Sequence, residues 1–324
     1  MCENNNALQP LFNLFWDCGV ILYKKITQKE IKKFIKYEVK ETSKDSIFIY
    51  IGRGIKGHIY LDLKENPNTF IVGTTGSGKS VCTKSIITSI VNNYKPSQVE
   101  IILCDLKRVE LNLFRNLKHT KKFAYRIEDV TETINEVLEE CERRYDLFMK
   151  RNVTNIFEYN KISNRKLKFQ ILFIEEIVLL MQDKKKIAMI TLKQLLSICR
   201  ASGIYVFITT QRPSADVIDS VVKANINNRI VFKVEDIKNS FICLDSEGAE
   251  MLEGKGHGII KIGSYKQEFR GYYIDDEQCK QLIEPFIVKQ ELKQSSKQIG
   301  FIENKKEVIK KENQIEDLSF LDKL

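Results

Sequence analysis

No two cysteines in this chain stand at C-x-x-C spacing, although there are eight: Cys2, Cys18, Cys82, Cys104, Cys141, Cys199, Cys243 and Cys279. That absence argues against a zinc site, which needs closely spaced ligands. The scatter fits reduced, mostly buried thiols of a cytosolic protein. Histidine is scarce too. His58, His119 and His257 are isolated and form no metal or catalytic pattern. An uninterrupted hydrophobic run is also missing. The longest N-terminal apolar stretch, residues 7–23, is broken by Gln9, Pro10, Asn13 and Asp17, whereas a membrane span needs about 20 mostly apolar residues. With no basic segment before it, the stretch does not read as a secretory signal either. It reads as an amphipathic segment that packs on the main domain or on a partner, with the single tryptophan, Trp16, as a packing residue. No internal repeat is present.

What remains is an ordinary globular composition. Hydrophobic residues make up 43% and charged residues 29% of 324, enough for one large α/β domain with small appendages. The formal net charge of +9 fits a polyanionic partner, but lysine-rich solvated surfaces are common, so charge alone decides nothing.

Three regions follow from the pattern: an N-terminal helical or amphipathic segment over residues 1–45, a main domain over 46–284, and a tail over 285–324. In the first, residues 28–40 are charged, with Ile31, Phe34 and Ile35 at helical spacing. Two short β-like runs, 46–51 and 58–61, are punctuated by glycine and predict a hairpin leading into the main domain. Strand-like runs at 69–72, 99–104, 169–174, 205–209 and 229–234 then alternate with helix-like stretches at 79–92, 130–150 and 187–201. Such alternation predicts a mostly parallel sheet with helices on both faces. Residues 258–262 and 267–274 predict a closing hairpin. The tail, rich in Lys, Glu and Gln, predicts a helical or partly disordered segment.

The most specific local signal is Gly73-Thr74-Thr75-Gly76-Ser77-Gly78-Lys79-Ser80, a complete G-x-x-x-x-G-K-[ST] with a strand before it and a helix after it. Glycines let such a loop wrap closely around phosphates, with successive backbone N–H groups aimed at the anion. The helix that follows adds the favourable end of its dipole. On this reading the ligand is ATP, Lys79 reaches its β- and γ-phosphates, and Ser80 ligates Mg²⁺. Downstream, the apolar strand 169–174 ends in Glu175-Glu176. One carboxylate there suits the Mg²⁺ shell and the other suits polarising an attacking water. An acidic strand end exposed to solvent is the plainer reading, and the complete phosphate loop upstream weighs against it.

Several segments together resemble the motor domain of the FtsK/SpoIIIE DNA translocases. They are FIVGTTGSGKS; Asp105-Leu106-Lys107 with Glu110-Leu111; Glu142-Arg143-Arg144-Tyr145; Cys199-Arg200-Ala201-Ser202-Gly203-Ile204; Thr210-Gln211-Arg212-Pro213-Ser214 followed by Asp216-Val217-Ile218 and Lys223-Ala224-Asn225-Ile226; and Arg229 with the 244–256 stretch. The resemblance runs over about residues 68–275 and implies a RecA-like P-loop NTPase fold, preceded by a small N-terminal α+β segment. It also implies a DNA-dependent ATPase that moves double-stranded DNA, working as a homo-oligomer, a hexameric ring.

By the same resemblance, Glu176 matches the catalytic carboxylate and Glu175 the Mg²⁺-associated position, where the family usually has Asp; the longer side chain implies a shifted metal shell and slower hydrolysis. Gln211 matches a γ-phosphate sensor. Arg200 matches an arginine finger offered to a neighbour's ATP, the alternative being a surface arginine at a helix end. Arg212 and Lys223 match positions that contact the DNA backbone, the alternative being solvated charge. The 235–238 segment is more acidic than the family's and is assigned nothing.

The family's membrane spans and winged-helix module are not recognisable in the sequence. That suggests the motors of plasmid or integrative-element transfer, cytoplasmic or peripheral at the membrane, with membrane-embedded transfer or division proteins as partners. Two other readings stay open: an ATP- and DNA-binding scaffold with little hydrolysis, and a secretion or single-strand pump.

Overall fold

The strand runs that are apolar without interruption in the sequence are buried on both faces in the structure, a computed structural model that describes residues 35–39, 46–183 and 185–288. In chain order the elements are β1 (Ile35–Lys36), β2 (Phe48–Gly54), β3 (Gly57–Asp62), β4 (Asn68–Val72), α1 (Lys79–Asn93), β5 (Val99–Asp105), β6 (Thr120–Ala124), α2 (Ile127–Arg151), α3 (Ile156–Ile162), β7 (Phe169–Glu175), α4 (Ile187–Ser202), β8 (Ile204–Thr210), α5 (Ser220–Asn225), β9 (Asn228–Phe232), α6 (Ile237–Leu244), β10 (His257–Ile262), β11 (Tyr265–Tyr273) and α7 (Asp276–Ile283).

They form one sheet in the order β3-β2-β11-β10-β9-β4-β8-β7-β5-β6, with β1 added to β11. From β9 to β6 every pairing is parallel. From β9 outward through β10, β11, β2 and β3 every pairing is antiparallel. The mostly parallel α/β architecture expected from the sequence is therefore present, with an antiparallel wing built on one side. Both expected hairpins exist, β2–β3 and β10–β11, and both are strands of the main sheet.

Alternation along each strand divides the core in two. Phe70, Val72, Leu172, Ile174, Val206 and Ile208 face one layer, packed under α2 and α4. Ile71, Ile171, Phe173, Phe207 and Ile230 face the other, packed under α1 and α7. Burial on both faces is what turns these strands into continuous apolar runs.

One expectation is corrected within the described residues. The helical spacing of residues 28–40 does not yield a helix at 35–39: Ile35 and Lys36 are extended and pair in parallel with Tyr272 and Tyr273, and the Tyr37 N–H donates to the Tyr273 carbonyl at 2.7 Å. The open edge of β11 offers unpaired backbone groups, and satisfying them outweighs a local helical pattern. The amphipathic stretch at 7–23, Trp16 and residues 289–324 lie outside the described residues. Six cysteines, from Cys82 to Cys279, are free and buried. Among the described residues no helix is long and apolar enough to cross a membrane.

Candidate nucleotide site

The parallel strands carry their functional side chains at their C-terminal ends, where β4 is flanked by β8 and β9 while its following strand β5 lies two places away. This is the crevice position at which open α/β sheets bind ligands. The loop 73–78 leaves β4 here. The Gly73 N–H donates to the Thr210 carbonyl at 3.2 Å and the Thr74 N–H to the Lys233 carbonyl at 2.9 Å, so the loop is anchored to both neighbouring strands. A Cβ on Gly73 would sit 2.3 Å from Ser77 Oγ. Gly78 has φ 115°, and a Cβ there would lie 2.6 Å from the Gly256 nitrogen. Only glycine fits either position.

How the helices begin distinguishes α1 from its neighbours. The side chains of Asn155, Asp219, Asp236 and Asp275 cap α3, α5, α6 and α7. At α1 the cap is Gly78, no side chain bonds the first turn, and no acidic residue lies in it. Its leading N–H groups are thus left for an external anion, the arrangement that binds phosphate at helix N-termini. The adjoining cleft has a volume of about 490 Å³ and is lined by Thr74, Thr75, Lys79, Ser80, Glu110 and Gln211 among others.

Without a phosphate, Lys79 turns to Glu175. Its Nζ bonds Glu175 Oε1, with the two side chains 2% and 1% exposed. Glu175 Oε2 accepts from Thr209 Oγ1 at 2.5 Å. Burial pushes the Glu175 carboxyl up, and Lys79 and Thr209 only partly offset it. Ser80 Oγ donates to Glu110 Oε1 at 2.7 Å. Beside Glu175 in register stands Asp105, whose Oδ2 accepts from the Leu111 N–H while its buried Oδ1 has no partner.

Glu176 is held more tightly than a solvent-facing acid would be, and is 5% exposed. Its backbone is left-handed at φ 61°, a cost that surrounding bonds must offset. Its N–H donates to Thr209 Oγ1 at 3.3 Å. Oε1 accepts from Thr210 Oγ1 at 2.7 Å and from the Gln211 N–H at 3.1 Å. Oε2 accepts from Lys107 Nζ at 2.5 Å. Burial alone would raise this carboxyl, but Lys107, the Thr210 hydroxyl and the Gln211 N–H outweigh it and hold it below the usual carboxylate range. Gln211 reaches the phosphate loop, with its Oε1 3.5 Å from Thr75 Oγ1.

The phosphate loop, Lys79, Ser80, Glu175, Glu176 and Gln211 are therefore brought together. The three remaining residues are not among them. Arg200 is exposed at the C-terminal end of α4, next to the start of β8; the length of that strand puts it roughly 20 Å from the phosphate loop of its own chain. Arg212 is exposed. Lys223 is paired with Asp245 at 2.9 Å, and Asp245 also binds Arg229 at 2.6 Å and Lys261 at 2.8 Å. The Asp245 carboxyl is held far below its ordinary range by these three cations, against the effect of its partial burial.

Sequence reading assigned no role to Lys107, Glu110, Thr209 or Thr210. Lys107 and Glu110 stood in the recognised 105–111 stretch, which was the signal; nothing in the chain order pointed to their partners. The Glu142–Tyr145 stretch is structural. Arg144, 2% exposed, donates to Glu140 at 2.7 Å and to the Ser202 carbonyl at 2.8 Å, and the Tyr145 hydroxyl bonds the Ile198 carbonyl, so both grip the end of α4 around Arg200.

Comparison with known proteins agrees with this geometry. The FtsK/SpoIIIE family model matches residues 30–174. The DNA translocase FtsK of Oceanobacillus iheyensis is 35% identical over 266 residues, covering 77% of this chain and 34% of that protein. The DNA translocase SpoIIIE of Bacillus subtilis is 32% identical over 281 residues, covering 82% of this chain and 36% of that one. The chain thus spans about a third of the length of these relatives. Among solved structures, the pCW3 conjugation coupling protein TcpA, in its monomer form with ATPγS, superposes with a TM-score of 0.71 at 26% identity, covering 79% of this chain and 75% of that one.

Proposed function

Since the chain belongs to the FtsK/SpoIIIE family, we propose that it binds ATP in the 73–80 loop, hydrolyses it, and uses the turnover to move double-stranded DNA. The observation that carries this reading is the pairing of an uncapped α1 with a buried lysine whose only counter-charge is a neighbouring carboxylate. A triphosphate satisfies both, taking the N–H groups of the first turn and drawing Lys79 from Glu175.

The oxygen donors fit a magnesium ion. Ser80, with Glu110 and Glu175 beside it and the unpartnered Asp105 Oδ1 in the floor, is an all-oxygen set of the kind a hard cation takes. When bound with ATP, Mg²⁺ neutralises charge on the β- and γ-phosphates. Glu176, ionised and in the left-handed conformation at the end of β7, is the group that accepts a proton from the attacking water, once Lys107 and Thr210 release an oxygen. Gln211, joined to Glu176 by its N–H and to the phosphate loop by its side chain, reports whether the γ-phosphate is present. Arg200, too far from its own site, completes a neighbour's in a ring, where its charge offsets that of the transition state. Arg212 and Lys223 contact duplex phosphates without reading sequence. Likeness to a conjugation coupling protein favours plasmid or integrative-element transfer as the setting, with membrane-embedded transfer proteins as partners.

A second reading has one observation in its favour. Both oxygens of Glu176 are engaged, as suits a scaffold that binds ATP and DNA but turns over slowly. ATP hydrolysis by the purified chain with and without long duplex DNA separates the two. A motor shows duplex-stimulated turnover that Lys79→Ala and Glu176→Gln abolish. ATP binding without turnover on any DNA leaves the scaffold.

A further inference from the structure

The cleft that starts at the phosphate loop does not end there. It continues past the first turn of α1 along Val81 and Cys82 to a second wall made by Gly271 and Tyr273 of β11 and by Ile35 of β1. We propose that this arm is the nucleobase subsite, that it takes the purine ring of the triphosphate, and that β1 is its outer wall. The inference rests on the reading that residues 73–80 hold the phosphates.

Three observations support it. The first is direction. With the phosphates over Thr74–Ser80, the polar side of the cleft is occupied by Glu110 and Gln211, where a carboxylate and an amide await water and metal. The ribose and base must leave by the other side, over Val81. The second is chemistry. The one guanidinium in this arm, Arg270, is committed to the Gly254 and Lys255 carbonyls and to Glu253. What is left for a ligand is aliphatic and aromatic surface, with Tyr273 39% exposed. Such surface suits a flat uncharged ring and gives little to a further phosphate. The third is β1 itself. It is two residues long, held by two register pairs and by the Tyr37 N–H on the Tyr273 carbonyl, far short of what keeps a strand in place unaided. A ring lodged between Ile35 and Tyr273 adds the contact that so short a strand lacks.

The test compares ATP with inorganic tripolyphosphate, which has the phosphates and no base, by titration calorimetry on the full chain. The wild type should bind ATP more tightly, by on the order of ten- to a hundredfold, the range of one base–aromatic stack. Tyr273→Ala and Ile35→Ala should each remove most of that advantage and leave tripolyphosphate affinity unchanged. Tyr273→Phe should keep it, and Lys79→Ala should weaken both ligands alike. Unchanged tripolyphosphate binding shows that a variant is folded; should Tyr273→Ala lose it, Ile35→Ala decides. A second readout is hydrogen exchange at the Tyr37 amide, which ATP should slow and tripolyphosphate should not. Full ATP preference in both alanine variants, or equal protection of Tyr37 by the two ligands, overturns the subsite while the phosphate site stands. Failure of the wild type to bind either ligand overturns the phosphate site and the subsite with it.

Discussion

Lys107 Nζ lies 2.5 Å from Glu176 Oε2, joining the loop after β5 to the carboxylate proposed to activate water. The pair has a measurable signature. Glu176 is held below the usual carboxylate range against the effect of its burial, with Lys107 the strongest of the groups that lower it. Lys107→Met leaves burial in place and removes that partner, so the carboxyl rises. The acid limb of the pH–kcat profile should then move to higher pH, because the base form of Glu176 is lost sooner as pH falls. An acid limb that stays where it was would show that Lys107 does not govern Glu176 during turnover.

The Lys79–Glu175 pair predicts a difference in thermal stability. Glu175→Gln leaves the buried Lys79 without its counter-charge, and removing one member of a buried pair costs about 3–5 kcal/mol. ATP supplies a replacement anion. The variant should melt well below the wild type without nucleotide and gain more from saturating ATP than the wild type does. Melting curves of both proteins with and without ATP check this.

Arg143 and Arg144 are adjacent, and both pair with Glu140, yet they should behave differently. Arg144, 2% exposed, also holds the Ser202 carbonyl, and its loss to alanine should cost about 3–5 kcal/mol in urea unfolding. Arg143, 53% exposed, should cost under about 1 kcal/mol. The Glu140 carboxyl, which partial burial would raise, is pushed down to about 2 by these arginines. Its contribution is present above the unfolded value of about 4.3 and is lost as pH falls towards 2. The Arg144→Ala deficit should therefore narrow over that window.

Lys223 and Asp245 should act in opposite directions on duplex DNA. Asp245 already occupies Lys223 and Lys261. Lys223→Ala should weaken duplex binding and lower the slope of log affinity against log salt by about 1. Asp245→Asn should tighten binding and steepen the slope. Fluorescence anisotropy with a labelled duplex over a salt series measures both, and unchanged slopes would remove Lys223 from the DNA interface.

What could be read from the sequence follows from where the signal is local. The 73–80 loop was legible because its chemistry fixes its spacing, and β4, β5, β7 and β8 were legible because burial on two faces leaves an unbroken apolar run. β6 was not: Thr120, Lys121 and Lys122 sit on an edge strand, where one flank meets water. β1 was misread because its pairing with β11 depends on residues more than two hundred positions away. The wing hairpins were visible, but nothing local says that β2 joins β11. In the site, Glu176 could be picked out as an acid at a strand end. The hold of Lys107 on it, 69 positions earlier, comes only from β5 lying next to β7.

The phosphate loop also rests on the wing. The Lys255 and Gly256 N–H groups donate to the Gly76 and Ser77 carbonyls at 3.4 and 2.7 Å, and Arg270 of β11 braces the Gly254 and Lys255 carbonyls from behind. In mechanical terms this is a short linkage with little slack. A load applied to the outer antiparallel strands reaches the nucleotide cradle through a pair of peptide bonds and one guanidinium strut, so tension on that flank and grip on the triphosphate are two ends of the same lever.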